Sequence, residues 1–107
     1  MIDKCTFMED RKSRNDKTAK FNRFFSNLTI PICTGSSRRE SLINVLKTCE
    51  SDLRFDDVIV TNEWSYSKSV SIFISTDLGD FKITLIDSRS INGDRMITII
   101  EGICTKG

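Results

Sequence analysis

The sequence contains no histidine and no glutamine, and only one alanine and one proline among its 107 residues. Without histidine, the chain has no imidazole for acid–base catalysis or for holding a metal ion. Ser–His hydrolases, Cys–His hydrolases and histidine-ligated zinc sites are therefore excluded. An enzyme built from this chain would depend on carboxylates, lysine, arginine, tyrosine or cysteine.

Long apolar runs are also absent, and the longest of them, such as Ile72–Ile74, have three residues. A helix that crosses a bilayer needs about 20 such residues. The N-terminal residues contain no apolar stretch of the kind found in secretory signals. We therefore expect a cytoplasmic protein that has no membrane partner.

The four cysteines are far apart in the sequence and form no C-x-x-C pair: Cys5, Cys33, Cys49 and Cys104. Structural zinc sites normally contain such a pair. Glycine-rich phosphate motifs are missing, and the aspartates lack the spacing of a calcium loop. We predict no metal, no cofactor and cysteines that stay reduced.

Isoleucine is common where alanine is rare, with fourteen isoleucines against one alanine. Because isoleucine codons are AT-rich and alanine codons are GC-rich, this bias indicates an AT-rich genome, such as that of a virus, a phage or a low-GC bacterium. The length, with 38% hydrophobic and 29% charged residues, fits one globular domain over residues 1–107.

Two segments have the apolar spacing of amphipathic helices. The first spans residues 15–28, with Asn15 or Asp16 as its N-cap. Residues 1–14 before it are predicted as a mobile basic arm or a short edge strand.

The second helix is predicted over residues 38–53. Ser37 and Glu40 have the spacing of a capping box at its start. Apolar residues then repeat at helical spacing, namely Leu42, Val45, Leu46, Cys49 and Leu53.

After Asp56 the apolar residues alternate with polar ones, which predicts four strands. Turn residues at 77–80 and at Asn92–Gly93 would join consecutive strands as hairpins. The predicted fold is therefore α+β, with two helices packed on a four-stranded antiparallel sheet that is chiefly a meander.

If 77–80 is a four-residue loop and Asn92–Gly93 a two-residue turn, apolar residues fall on both faces of this sheet. One face would hold Val70, Ile72, Ile74, Phe81, Ile83, Leu85 and Ile100. The second face would hold Phe73, Ile86, Ile97 and Ile99. Either residues 1–10 and 29–35 cover the second face, or that face binds a partner or a twin subunit, forming a homodimer.

Two aromatic residues, Trp64 and Tyr66, lie in a stretch predicted as a polar connection between strands. Exposed aromatic side chains are frequent anchors at protein interfaces. The alternative is a tryptophan that folds over the edge of the core. The predicted partner-binding residues are Trp64, Tyr66, Glu63, Lys68 and Phe73.

Residues 11–23 contain six basic residues and one acid. They could neutralise phosphates of a nucleic acid or contact an acidic protein. The sequence pI of about 7.6 is below that of a dedicated nucleic-acid module. The residues of this candidate site are Arg11, Lys12, Arg14, Lys17, Lys20 and Arg23.

The absence of catalytic motifs favours a non-enzymatic protein that binds a partner protein, such as a phage- or virus-encoded inhibitor or an immunity protein. Nucleic-acid binding through residues 11–23 is the alternative. A third hypothesis is a metal-independent RNase toxin. The predicted order of elements, with a first strand over residues 2–8, is similar to that of the small ribosome-dependent toxins of toxin–antitoxin pairs.

Overall fold

The structure is a computed structural model that describes the backbone of residues 4–107 and the side chains of residues 11–107. Its elements in chain order are α1 (Lys4–Phe25), β1 (Thr29–Pro31), α2 (Arg38–Thr48), β2 (Val58–Tyr66), β3 (Ser69–Thr76), β4 (Gly79–Arg89) and β5 (Arg95–Lys106). Neither described helix is long and apolar enough to cross a membrane.

The strands form one sheet in the order β1-β5-β4-β3-β2, and all neighbouring pairs are antiparallel. The predicted α+β class with two helices is confirmed, but the sheet has five strands instead of four. The strand missed by the prediction, β1, has three residues, too few to show an alternating pattern. It includes Pro31, which is tolerated because β1 lies at the edge of the sheet.

Helix α1 begins at Lys4, well before the predicted start at residue 15. Asn15 and Asp16 therefore lie inside the helix, and their prediction as N-cap residues is wrong. The described residues 4–14 are helical instead of forming an arm or an edge strand. They contain no proline or glycine and several good helix formers. Residues 1–3 of that prediction lie outside the described residues.

The end of α1 is set by the turn into β1. The helix stops at Phe25, so the predicted extension to Leu28 is wrong. Asn27 has a φ of 66°, the left-handed conformation that commonly follows a helix. The Asn27 N–H donates to the Ile99 carbonyl at 2.7 Å, and the Ile99 N–H donates to the Leu28 carbonyl at 2.9 Å.

Helix α2 begins as predicted, because Ser37 Oγ accepts a hydrogen bond from the Glu40 N–H at 3.2 Å. It ends at Thr48, short of the predicted residue 53. Ser51 Oγ there accepts from the Leu53 N–H and donates to the Leu53 carbonyl. This local turn replaces the last predicted helical turn, although Leu53 still reaches the core.

The sheet has a buried face and an exposed face. The core face packs against both helices and carries Val70, Ile72, Ile74, Phe81, Ile83, Leu85, Ile97 and Ile99, which are all buried. Against it lie Phe21, Phe25, Leu42 and Leu46 from the helices and Phe55 from the loop before β2. The opposite face, here called the outer face, is described below as the candidate site.

The β3–β4 hairpin differs in register from the prediction. Thr76 lies opposite Gly79, which leaves a two-residue turn instead of a four-residue loop. Ile74 consequently faces Phe81 rather than Ile83. Because this shift is two residues, each side chain stays on its predicted face.

The β4–β5 hairpin also differs from the prediction. Arg89 lies opposite Arg95, so residues 90–94 form a five-residue loop instead of a two-residue turn at Asn92–Gly93. The Gly93 N–H donates to the Ser90 carbonyl at 2.9 Å.

The pairing of β4 with β5 decides which residues of β5 reach the core, and a β-bulge interrupts it between Thr84 and Leu85. Leu85 lies opposite Ile99, and Ile100 has no cross-strand partner. Ile97 and Ile99 are therefore buried in the core, whereas Ile100 is exposed. The predicted faces of these three residues were wrong, because the five-residue loop shifts the pairing of β5 beside it by one position, and a one-residue shift moves side chains to the opposite face.

One row of polar side chains, on α1 and in the turn directly after it, bonds to the edge of β5 that β1 leaves uncovered. The row consists of residues spaced by four: Thr18, Asn22 and Ser26. Asn22 Oδ1 accepts from the Gly102 N–H at 2.9 Å, and Asn22 Nδ2 donates to the Gly102 carbonyl at 3.1 Å. Thr18 Oγ1 accepts from the Cys104 N–H, and Ser26 Oγ donates to the Ile100 carbonyl.

Candidate interaction surface

Trp64 and Tyr66 lie in strand β2, whereas the sequence predicted a connection between strands. Trp64 is opposite Ser71 and Tyr66 is opposite Ser69, so both rings project from the outer face of the sheet. Their exposed fractions are 56% and 66%. The rings stack on each other with centroids 5.2 Å apart and planes 27° apart. The pair is therefore a stacked, solvent-facing aromatic surface.

The rest of the outer face combines apolar and hydroxyl side chains. Four isoleucines are exposed on it, Ile59, Ile86, Ile100 and Ile103. Phe73 is partly buried, and between these groups lie Ser69, Ser71, Ser75, Thr84 and Thr98. Among the residues that the structure describes, neither helix buries this face, so its apolar groups face solvent.

One lysine and one glutamate lie near the centre of the outer face. Lys82 is opposite Ile103, and Glu101 is opposite Thr84 on the neighbouring strand. Lys82 Nζ lies 6.0 Å from the ring centroid of Phe73. Of the described ion pairs within 4.0 Å, none includes Lys82 or Glu101.

The structure separates the predicted partner-binding residues into two groups. Phe73 shares the outer face with Trp64 and Tyr66, and Lys68 is exposed in the turn that follows β2. Glu63 projects from the opposite face, because it pairs with the core residue Ile72. It lies within a group of ion pairs inside the chain rather than on the outer face.

Glu63 holds the start of α2 against the sheet. Its two carboxylate oxygens accept from Arg38 at 3.1 Å and from Arg39 at 3.2 Å, and Arg38 also pairs with Asp87 at 2.6 Å. Partial burial by itself lowers the pKa of Arg38. The hydrogen bonds and charges of Asp87 and Glu63 outweigh that effect, so the pKa of Arg38 is raised. The arrangement joins α2 to β2 and β4.

The six basic residues of the 11–23 segment do not form a single stripe on α1. At about 100° per residue, Arg11, Lys12 and Lys20 point in clearly different directions. Lys17 Nζ donates to the Leu78 carbonyl at 2.6 Å, and Arg23 pairs with Asp52 at 3.1 Å.

The three lysines of this segment line one cleft together with two acids. The cleft is formed by Lys12, Lys17 and Lys20 with Ser13, Asp16, Asp52, Leu53 and Leu78. The acids reduce the positive charge of this surface. The remaining basic residues, Arg11, Arg14 and Arg23, do not line this cleft.

The thiols and carboxylates do not form an evident chemical centre in the described part of the chain. Cys33, Cys49 and Cys104 are free thiols, of which Cys104 is buried. Residues 11–107 contain no group of three cysteine, aspartate or glutamate side chains placed to hold a metal ion. The outer face is where exposed aromatic, apolar and charged side chains lie together.

Sequence reasoning found the aromatic residues of this face by their type, but it missed Lys82, Glu101 and Ile103. The alternation of Trp64, Ser65 and Tyr66 was a signal for a strand.

No protein-family model, no curated protein and no solved structure matches this chain.

Proposed function

We propose that this protein is a non-enzymatic interaction protein that binds the surface of a partner protein through the outer face of its sheet. Its action would be that of a phage- or virus-encoded inhibitor or of an immunity protein. Such proteins act by shape and charge, and they require no catalytic group.

The observation that carries the proposal is the exposed, stacked pair of Trp64 and Tyr66. Tryptophan and tyrosine each bury about 150–250 Å² in an interface. They are also the residue types that most often dominate binding energy. Stacking fixes the two rings before a partner arrives, which lowers the entropy lost on binding.

The surroundings of the pair support a protein partner over a nucleic acid. The centre of the outer face has one basic and one acidic side chain, Lys82 and Glu101, so its local charge is balanced. A phosphate backbone would favour a basic surface. The basic residues of α1 lie on another part of the molecule, where Asp16 and Asp52 accompany them. Nucleic-acid binding through residues 11–23 stays a prediction.

The RNase hypothesis was based on a predicted order of elements that the structure does not have. The described chain starts with a helix, and strand β1 separates the two helices. The predicted order had a first strand followed by two helices.

A capture experiment with matched variants tests the proposal. Wild-type protein, the double variant Trp64→Ala/Tyr66→Ala and the control Ile91→Ala are immobilised and exposed to untreated and to nuclease-treated host-cell lysate. Ile91 is a fully exposed apolar residue in the β4–β5 loop, away from the outer face. A partner identified by mass spectrometry is then purified and titrated against all three proteins.

The expected result is a partner that survives nuclease and binds the double variant at least about 30-fold more weakly, as loss of a hot spot of about 2 kcal/mol requires. Ile91→Ala should bind like wild type. Equal binding by the double variant, or capture that nuclease abolishes, would contradict the proposal. In the second case, a steep fall of affinity with salt would point to residues 11–23.

A further inference from the structure

The outer face has a charge arrangement suited to a second copy of the same chain. This inference rests on the proposed function, because it assumes that the outer face is a protein-binding surface. We infer that in the free protein two copies pack outer face to outer face, related by a twofold axis that passes between Lys82 and Glu101.

Apolar groups surround these two charges. Phe73 and Ile103 lie on either side of Lys82 in the same row across three strands. Ile86 and Ile100 are exposed further along the face. Sheets that pack face to face lie about 10 Å apart and interdigitate such side chains. An apolar face of this extent is uncommon on a monomer.

The two charges match the requirement of a twofold interface. In such an interface, a contact of residue i with residue j is always accompanied by the contact of j with i. Lys82 and Glu101 are diagonal neighbours on β4 and β5, a relation that places side chains about 7–8 Å apart. A twofold axis midway between them puts each charge against its opposite on the other copy.

Neither charge has an ion-pair partner within 4.0 Å among the side chains that the structure describes. Burying either charge without an opposite charge would be costly. A second copy supplies both opposite charges at once, whereas an apolar partner surface would supply neither.

Self-association on this face would regulate the proposed function. Trp64 and Tyr66 lie on the same face, two strands from Lys82. Two copies packed face to face would exclude a different partner from the aromatic pair. The homodimer and the complex with another protein would therefore compete.

A charge-swap series measured by sedimentation equilibrium tests the inference. The variants are Lys82→Glu, Glu101→Lys and the double variant Lys82→Glu/Glu101→Lys, measured up to about 200 μM. Matched controls are Lys47→Glu and Glu50→Lys, which reverse exposed charges outside the sheet. Circular dichroism and thermal unfolding establish that each variant is folded.

The expected result is a wild-type dimer, a dissociation constant at least about tenfold higher in each single variant, and recovery of wild-type affinity in the double variant. The two controls should dimerise like wild type. A monomeric wild type, or a double variant no better than the single variants, would overturn the inference.

Partner titration of wild-type protein at rising concentration separates this inference from the proposed function. If the inference holds, wild-type protein binds the partner more weakly above the dissociation constant of its dimer, because the dimer covers Trp64 and Tyr66. A wild type that is monomeric and still needs Trp64 and Tyr66 to bind its partner refutes only the dimer. A charge-dependent dimer that never binds another protein refutes only the proposed function.

Discussion

The side-chain amide of Asn22 and the backbone of Gly102 form two hydrogen bonds across 80 positions of sequence, at 2.9 and 3.1 Å. The amide thus offers the same donor and acceptor that a neighbouring strand would offer. Gly102 suits this contact because a Cβ there would lie 2.3 Å from the Phe21 ring. Helix α1 therefore closes part of a sheet edge that three-residue β1 is too short to cover.

We expect Asn22→Ala to lower the free energy of unfolding by about 1–3 kcal/mol, because it leaves a backbone N–H and a carbonyl without partners. Asn15→Ala is the matched control, since Asn15 is exposed on the same helix. It should change the free energy by no more than about 0.5 kcal/mol. Urea unfolding with an unchanged m-value measures both. Equal effects of the two substitutions would contradict the role given to Asn22.

Loss of the Arg38 side chain should lower the free energy of unfolding more than loss of an exposed ion pair does. Arg38 and Glu63 have side-chain exposures of 27% and 19%, whereas both members of the Arg23–Asp52 pair are 63% exposed. We expect Arg38→Ala to cost about 1 kcal/mol, and the control Asp52→Asn less than about 0.5 kcal/mol. Urea unfolding at low and at high salt measures both losses. The difference between them should shrink at high salt, because salt screens ion pairs. A salt-independent difference would indicate lost packing instead.

Cys104 should react much more slowly with a thiol reagent than Cys33 and Cys49. It is 5% exposed, whereas the other two are exposed. Burial raises the pKa of the Cys104 thiol, and the nearby Lys17 charge reverses only part of that shift. Ellman's reagent applied to the Cys5→Ser variant should give two fast equivalents and one slow equivalent. The slow one should vanish in Cys5→Ser/Cys104→Ser.

The same pKa shift gives a sign to the pH dependence of stability. A thiol whose pKa is higher in the folded state stabilises the fold while it is protonated. This contribution is present below the unfolded thiol pKa of about 8.5, and it is lost as pH rises through the folded pKa. Unfolding free energies from pH 7 to 10 should therefore fall more steeply for wild type than for Cys104→Ser. Parallel profiles would contradict the assignment.

Features set by nearby residues were predictable from the sequence. Ser37 and Glu40 are three residues apart, and their hydrogen bond forms as the capping pattern indicates. The alternation of β3 and β4 also placed their core residues correctly. The register differs from the prediction by two residues, and a shift of two leaves each side chain on the same face.

Features set by distant pairing were not predictable in this way. The five-residue loop and the bulge at Ile100 depend on how β4 and β5 meet, and the loop brings Ile97 and Ile99 to the core face. Strand β1 is a strand because its three residues pair with β5, which is distant in the sequence. The Lys82 and Glu101 pair of the candidate surface was missed for the same reason, whereas Trp64 and Tyr66 could be selected by residue type alone.

The bonds between α1 and β5 also constrain when the protein can fold during its synthesis. Thr18 and Cys104 are 86 positions apart, so the first helix leaves the ribosome long before the strand that completes it. Until β5 emerges, Phe21 and Phe25 lack much of the surface that buries them. Contacts of this sequence separation slow folding and leave apolar groups open to aggregation or chaperones in the meantime. The contacts that join α1 to β5 can therefore form only after β5 has been translated.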